Sequence, residues 1–195
     1  MKKFFNTTWF KCVSVLLGIA LLSGILLAVL NDALFVTADE RTMRAVKKIY
    51  GEEKPYSVIL DVDDGDDAIV CEDYGTINKL FIIGDKDSDS FDYLFKTTGE
   101  HGYKNGTVSL WICVSVKNKE TKIEKVILDG FTKQTLMSKL GSFYDGFTGD
   151  NGDDYYSAEK EDGKIYAPVT GATRSATATT NAVNCVIFWL RGNAR

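Results

Sequence analysis

The chain opens on an unbroken apolar run and then changes its period twice. Residues 12–30 read CVSVLLGIALLSGILLAVL without a charge. At about 1.5 Å per residue, about 20 such residues cross the hydrocarbon core of a bilayer. The pattern then turns helical. Thr37-Ala-Asp-Glu40 has the form of a capping box, and ERTMRAVKKIY sets Met43, Val46 and Ile49/Tyr50 on one stripe before Gly51. Next come segments rich in Val, Ile, Tyr and Phe, divided by Gly, Asp and Asn clusters, which predict strands over 56–62, 68–74, 79–83, 91–97, 107–116 and 121–128. Hairpins are their natural connections. A helix is expected over 135–147, followed by the acidic loop GDNGDD, a strand over 164–169 and the polar segment TGATRS. A last helix, from about 176 to 190, places Ala182/Val183, Val186/Ile187 and Leu190 on one face. Strands in the middle and helices late make the fold class α+β, one antiparallel-sheet domain behind a single N-terminal transmembrane helix. The expected divisions are 1–31 for a cytoplasmic start and anchor, 32–54 for a juxtamembrane helix and linker, and 55–195 for the domain.

Charge sets the orientation. Lys2, Lys3 and Lys11 precede the apolar run; Asp32, Asp39 and Glu40 follow it. The positive-inside rule then places the N-terminus in the cytoplasm and the domain outside, single-pass in the cell membrane. The run exceeds the apolar core of a signal peptide and shows no small-residue cleavage site, so an uncleaved anchor is expected. The first 31 residues hold three lysines and no acid, so the chain's net charge of −4 becomes −7 for the remainder. An acidic body disfavours a nucleic-acid partner.

Most candidate chemistry falls away on spacing. Cys12, Cys71, Cys113 and Cys185 show no CxxC pair, which argues against zinc; one disulfide among the last three stays open. In Asp61-Val-Asp-Asp-Gly-Asp-Asp67 the glycine falls fifth rather than sixth, so the calcium-loop pattern fails and a solvated hairpin turn is the reading. His101 is the only histidine and assembles with no nucleophile into a triad. No GxGxxG or GxxxxGK[ST] occurs. Asn105-Gly-Thr107 is a formal glycosylation sequon that reads as a turn between strands.

Thr170-Gly171-Ala172-Thr173-Arg174-Ser175 carries more. It is a short polar turn from a strand into an amphipathic helix. Gly171 and Ala172 let a ligand approach the backbone, Thr173 and Ser175 offer hydroxyls, and Arg174 offers charge. The helix that follows presents unpaired N–H groups and its positive dipole end, a setting suited to phosphate.

TGATRS resembles the [S/T]GATx[S/T] motif of the FMN-binding domains of the Rnf complex G subunit and the sodium-translocating NADH:quinone reductase C subunit. Residues 102–114, GYKNGTVSLWICV, are similar to that family's Gly-Tyr turn and following strand, and 122–128 to the next strand. The layout of one anchor, a short helix and a domain fits as well, so the likeness covers most of the chain. It implies an FMN-binding domain in which a flavin transferase joins FMN, taken from FAD, by a phosphoester to Thr173. Thr170, Gly171, Ala172, Arg174 and Ser175 would frame the link. The family's flavin-contacting ETPG segment appears as Gln134-Thr135-Leu136-Met137, which keeps Thr135 and puts Leu136 in the contact position. The family often carries an Asp three positions before the motif; here that residue is Ala167. The resemblance thus implies a membrane-anchored electron-transfer flavoprotein, a subunit of an oxidoreductase of the NADH:quinone or NADH:ferredoxin type rather than an independent enzyme. Its partners would be integral membrane subunits of a redox-driven ion pump or of a related extracytoplasmic electron chain. The alternative is an anchored, non-redox ligand-binding or sensor module that has lost covalent flavin, which Ala167 and the altered ETPG segment motivate.

Overall fold

The computed structural model describes residues 8–34, 38–62, 67–158, 165–166 and 169–193. The chain divides into two compact units, Met1–Arg44 and Ala45–Arg195. Thr37 and Ala167, which the sequence reading singles out, lie outside the described residues.

The first unit holds helix α1, Thr8–Leu34. Within it Trp9–Asn31, 23 residues, is long and apolar enough to cross a membrane. Its large side chains are exposed, Leu22 at 73% and Leu27 at 67%. Helix α2, Ala38–Tyr50, begins in this unit and ends in the second. Asp39 and Glu40 in its first turn and Lys47 and Lys48 in its last complement the helix dipole. The Gly51 N–H closes it on the Lys47 carbonyl at 2.8 Å.

The second unit is built on an antiparallel sheet. Its strands are β1 (Tyr56–Asp61), β2 (Ile69–Cys71), β3 (Gly75–Ile83), β4 (Ser90–Gly99), β5 (Val108–Lys117) and β6 (Glu120–Phe131), ordered β1-β3-β4-β5-β6 with β2 also on β3. The expected hairpin between β1 and β2 does not form. Tyr56 to Asp61 pairs with Ile83 to Lys79, and Ile69 to Cys71 pairs with Ile77 to Gly75, so the two strands lie end to end along one edge of β3. Of the acidic segment expected to form that turn, residues 63–66 lie outside the described residues. The strand expected over 68–74 is cut short by a turn in which the Tyr74 N–H bonds the Cys71 carbonyl at 3.0 Å, with Glu72 at φ 48°. β3 then starts at Gly75 rather than at Lys79.

Both faces of the sheet are covered, which is why β5 reads as a nearly continuous apolar run. On one face Ala45 and Val46 of α2, with Ile49 and Tyr50, pack against Phe81, Ile83, Leu94, Trp111 and Cys113. The other face buries Ile77, Phe95, Leu110, Ile112 and Val114 against helix α3, Thr173–Asn193, through Ala178, Ala182, Val183, Val186 and Ile187. Contact is closest at Gly99, where a Cβ would lie 2.0 Å from the Ala178 carbonyl oxygen and 2.4 Å from the Ala182 nitrogen.

Two expected elements change form. The helix over 135–147 is instead two 3-10 turns, Met137–Leu140 and Phe143–Phe147. Met137, Leu140 and Phe147 are buried, so the apolar spacing that mimics a helical stripe serves single turns at the edge of the core. Gly141 and Gly146, both poor helix formers, fall inside the stretch. Of the strand over 164–169, only β8, Ile165–Tyr166, is described, parallel to β7, Tyr156–Ser157.

The described cysteines are all free thiols, and Cys71, Cys113 and Cys185 are buried. Burial pushes the Cys113 thiol up to about 12, partly offset by the Tyr50 hydroxyl 3.2 Å away. The neighbouring Cys71 thiol and burial raise Cys185. Thiolate is the reactive form. A thiol reagent at pH 8 is therefore expected to leave these three cysteines unlabelled in the folded protein and to label all three in denaturant. Rapid native labelling of any of them would contradict this packing.

Candidate functional site

Three segments far apart in sequence meet at the start of α3. The first is the motif itself. The Ala172 N–H bonds the Val169 carbonyl at 3.1 Å, closing a four-residue turn with Gly171 third at φ 77°. A type II turn demands that sign of φ at its third residue, which favours glycine there. The Ala172 carbonyl then accepts the first helical bond from the Ala176 N–H at 2.9 Å. Helix α3 thus begins at Thr173, three residues earlier than the 176 expected, and Thr173, Arg174 and Ser175 form its first turn rather than a loop before it. Helix geometry leaves the first N–H groups without intrahelical acceptors, and the alanine before Thr173 has no side chain to cap them.

The second segment is the turn after β4. The Gly102 N–H bonds the Gly106 carbonyl, and the Gly106 N–H bonds the Tyr103 carbonyl, each at 3.0 Å. The third is Thr132 to Leu136, which leaves β6. Gln134 ties all three together. Its buried Oε1 accepts from the Ser175 hydroxyl at 2.9 Å and from the Tyr103 N–H at 3.1 Å, while its Nε2 donates to the Thr132 carbonyl at 3.0 Å.

The result is a shallow depression of about 390 Å³ walled by Tyr103, Thr135, Leu136, Gly171, Ala172, Thr173, Arg174 and Ser175. Seven of the eight residues singled out from sequence line it. Thr170 sits exposed in the turn just before and is not part of the wall. Ser175 turns inward to Gln134, whereas Thr173 and Arg174 are exposed. The Thr173 carbonyl accepts from the Thr177 hydroxyl at 2.9 Å, a bond that leaves the Thr173 side chain uninvolved.

Three contributors were not named from sequence as site residues. Tyr103, 40% exposed, presents an aromatic wall, with Lys104 Nζ 5.4 Å from its ring centre. Its place in the Gly-Tyr turn was the available signal. Gln134 supplies the clamp, and its burial was not legible in a polar segment. Lys139 Nζ lies 3.1 Å from where a Gly171 Cβ would stand, a proximity between separate loops that no local pattern encodes.

Other candidates separate from this site. His101 Nε2 donates to the Asp73 carbonyl at 2.9 Å, as a loop residue. A larger cleft, about 630 Å³, lies at the β5–β6 hairpin among Lys117, Lys119, Glu120, Lys122, Glu124 and Asp153. Its walls mix both signs of charge and include no part of the motif. Among the described residues, no three His, Cys, Asp or Glu side chains gather as a metal site. No protein-family model matches the sequence, and no curated protein matches it.

Proposed function

We propose that the chain is a membrane-anchored electron-transfer flavoprotein carrying FMN through a phosphoester on Thr173 Oγ. The observation that carries this reading is an exposed threonine at the first position of α3, opening on a depression that gathers the motif, the Gly-Tyr turn and the Thr135-Leu136 segment. A hydroxyl buried or committed to capping would not serve as an attachment point.

The residues suit the group. Thr173 would hold the phosphate beside the N–H groups of the first turn, with Arg174 and the dipole supplying positive potential. Glycine and alanine at 171 and 172 leave room against the backbone. Tyr103 and Leu136 offer an aromatic and an aliphatic surface for a planar ring, and Thr135 adds a polar edge. When bound, the flavin supplies electron transfer at its isoalloxazine ring, and the protein supplies attachment, orientation and electrostatics. Attachment joins Thr173 Oγ to the phosphorus of the FMN half of FAD. The pyrophosphate P–O bond breaks, AMP leaves, and the hydroxyl proton departs to a base on the transferase.

Helix α1 serves as the anchor. Exposed leucines and isoleucines along a helix of that length are favourable in lipid and costly in water. The lysines before the apolar run of residues 12–30 and the acids after it favour the domain on the outer face. Covalent attachment there prevents loss of the flavin. A shallow site leaves the ring open to redox partners, which on this reading are integral subunits of an Rnf/Nqr-type pump or of a related extracytoplasmic electron chain.

Peptide mapping after co-expression with a flavin transferase tests the attachment. The added mass of FMN, less water, is expected on the peptide containing Thr173. Added mass on a different peptide would contradict the assignment.

A further inference from the structure

Gly171 and Lys139 come from different loops yet nearly touch, and the contact bears on how an anion is held. Met137 and Leu140 are buried and pin the first 3-10 turn to the core, which leaves Ser138 and Lys139 facing out. The Lys139 N–H bonds the Leu136 carbonyl at 3.0 Å. In such a turn, side chains three apart lie one above the other. Lys139 therefore rises on the side of the turn where Leu136 walls the depression. Its ammonium ends against Gly171, 3.1 Å from the place a Cβ would take. None of the ion pairs among the described residues involves Lys139.

The domain needs such a cation. Residues 32–195 carry −7, a field that repels phosphates. Arg174 sits within the first turn of α3; Lys139 reaches Gly171 from the separate 3-10 turn that follows Leu136.

We infer that Lys139 is the second anion-binding side chain of the site, pairing with the phosphate or pyrophosphate oxygens presented at Thr173. The inference rests on the reading of Thr173 as the attachment residue. It also gives residue 171 a reason to be glycine beyond its φ: any side chain there would crowd the ammonium away from the motif.

The test is the initial rate of flavinylation of the purified full-length protein by a flavin transferase with FAD. The fraction modified is followed by intact mass at low and at high salt. Wild type is compared with Lys139→Gln, Lys139→Arg and, as a control for bulk charge, Lys86→Gln, an exposed lysine in the turn between β3 and β4. Lys139→Gln is expected to be slowed about tenfold at low salt, the scale of a lost charged hydrogen bond, and to show a weaker dependence on salt. Lys139→Arg should stay within about threefold of wild type, since a guanidinium also binds phosphate, and Lys86→Gln should match wild type. A Lys139→Gln protein modified at the wild-type rate, a slowing that arginine does not rescue, or an equal slowing in Lys86→Gln would each overturn the inference while leaving Thr173 as the attachment point. No modification of wild type, with the transferase active on a control substrate, would overturn both.

Discussion

Replacing Gly99 by alanine is expected to destabilise the sheet–helix unit by about 3 kcal/mol, at the upper end of the usual cost of overpacking. The added methyl would sit 2.0 Å from the Ala178 carbonyl oxygen and 2.4 Å from the Ala182 nitrogen. Both are backbone atoms of α3, so no side-chain rotation relieves the overlap. Either the helix lifts from β4 or the strand bends away. Lifting would loosen the packing of Ala178, Ala182, Val183 and Val186, all fully buried. For a unit of this size the loss corresponds to a fall in melting temperature of about 6–12 °C. Calorimetry or circular dichroism on heating measures it. An unchanged melting temperature would mean that α3 does not approach β4 this closely.

The second large effect is expected at Asn184. Its side chain is buried in α3 and holds both backbone groups of Tyr156, accepting from the N–H at 2.9 Å and donating to the carbonyl at 3.0 Å. Substitution by leucine keeps most of the volume and removes both partners. Two buried backbone groups would then lack hydrogen bonds, at about 1–3 kcal/mol each. The Asn184→Leu protein should lose about 2–6 kcal/mol in a urea titration. The Tyr156 amide should also exchange with deuterium much faster than in wild type. Wild-type protection of that amide would show that β7 is held by something other than Asn184.

These two residues also mark where local pattern stops being informative. Alternation and β-branched content located β5 at 107–116 against an observed Val108–Lys117, and β4 and β6 comparably, because those strands are long. The α+β class and the antiparallel sheet followed from them. The end-to-end arrangement of β1 and β2 did not, since register along a shared edge is fixed by partners in β3 rather than by the short strands themselves. The stretch over 135–147 failed for a local reason: Met137, Leu140 and Phe147 keep near-helical spacing, yet Gly141 and Gly146 favour separate turns. The close packing at Gly99 and the clamp at Asn184 depend on neighbours about 80 and about 30 positions away and leave no mark in a periodicity.

The candidate site divides the same way. The motif drew attention to residues 170–175, and six neighbouring positions in a strand-to-helix connection are placed together by the chain itself. Thr135 and Leu136 entered through resemblance alone, and the fold sets them beside the motif. Tyr103, Gln134 and Lys139 complete the surroundings through contacts that exist only after folding. The start of α3 was placed too late because Thr, Arg and Ser read as turn residues. In a first helical turn, exposed polar side chains are tolerated, and the bond from Ala176 to Ala172 makes Thr173 the first helical residue.

The central claim is covalent flavin at Thr173, and fluorescence under ultraviolet light of the denatured protein on a gel tests it most directly. Wild type and Thr173→Ala are each co-expressed with a flavin transferase that is active on a control substrate. The account predicts a fluorescent band for wild type and none for Thr173→Ala at equal protein load. A dark wild-type band, or a fluorescent band that survives in Thr173→Ala, would contradict it.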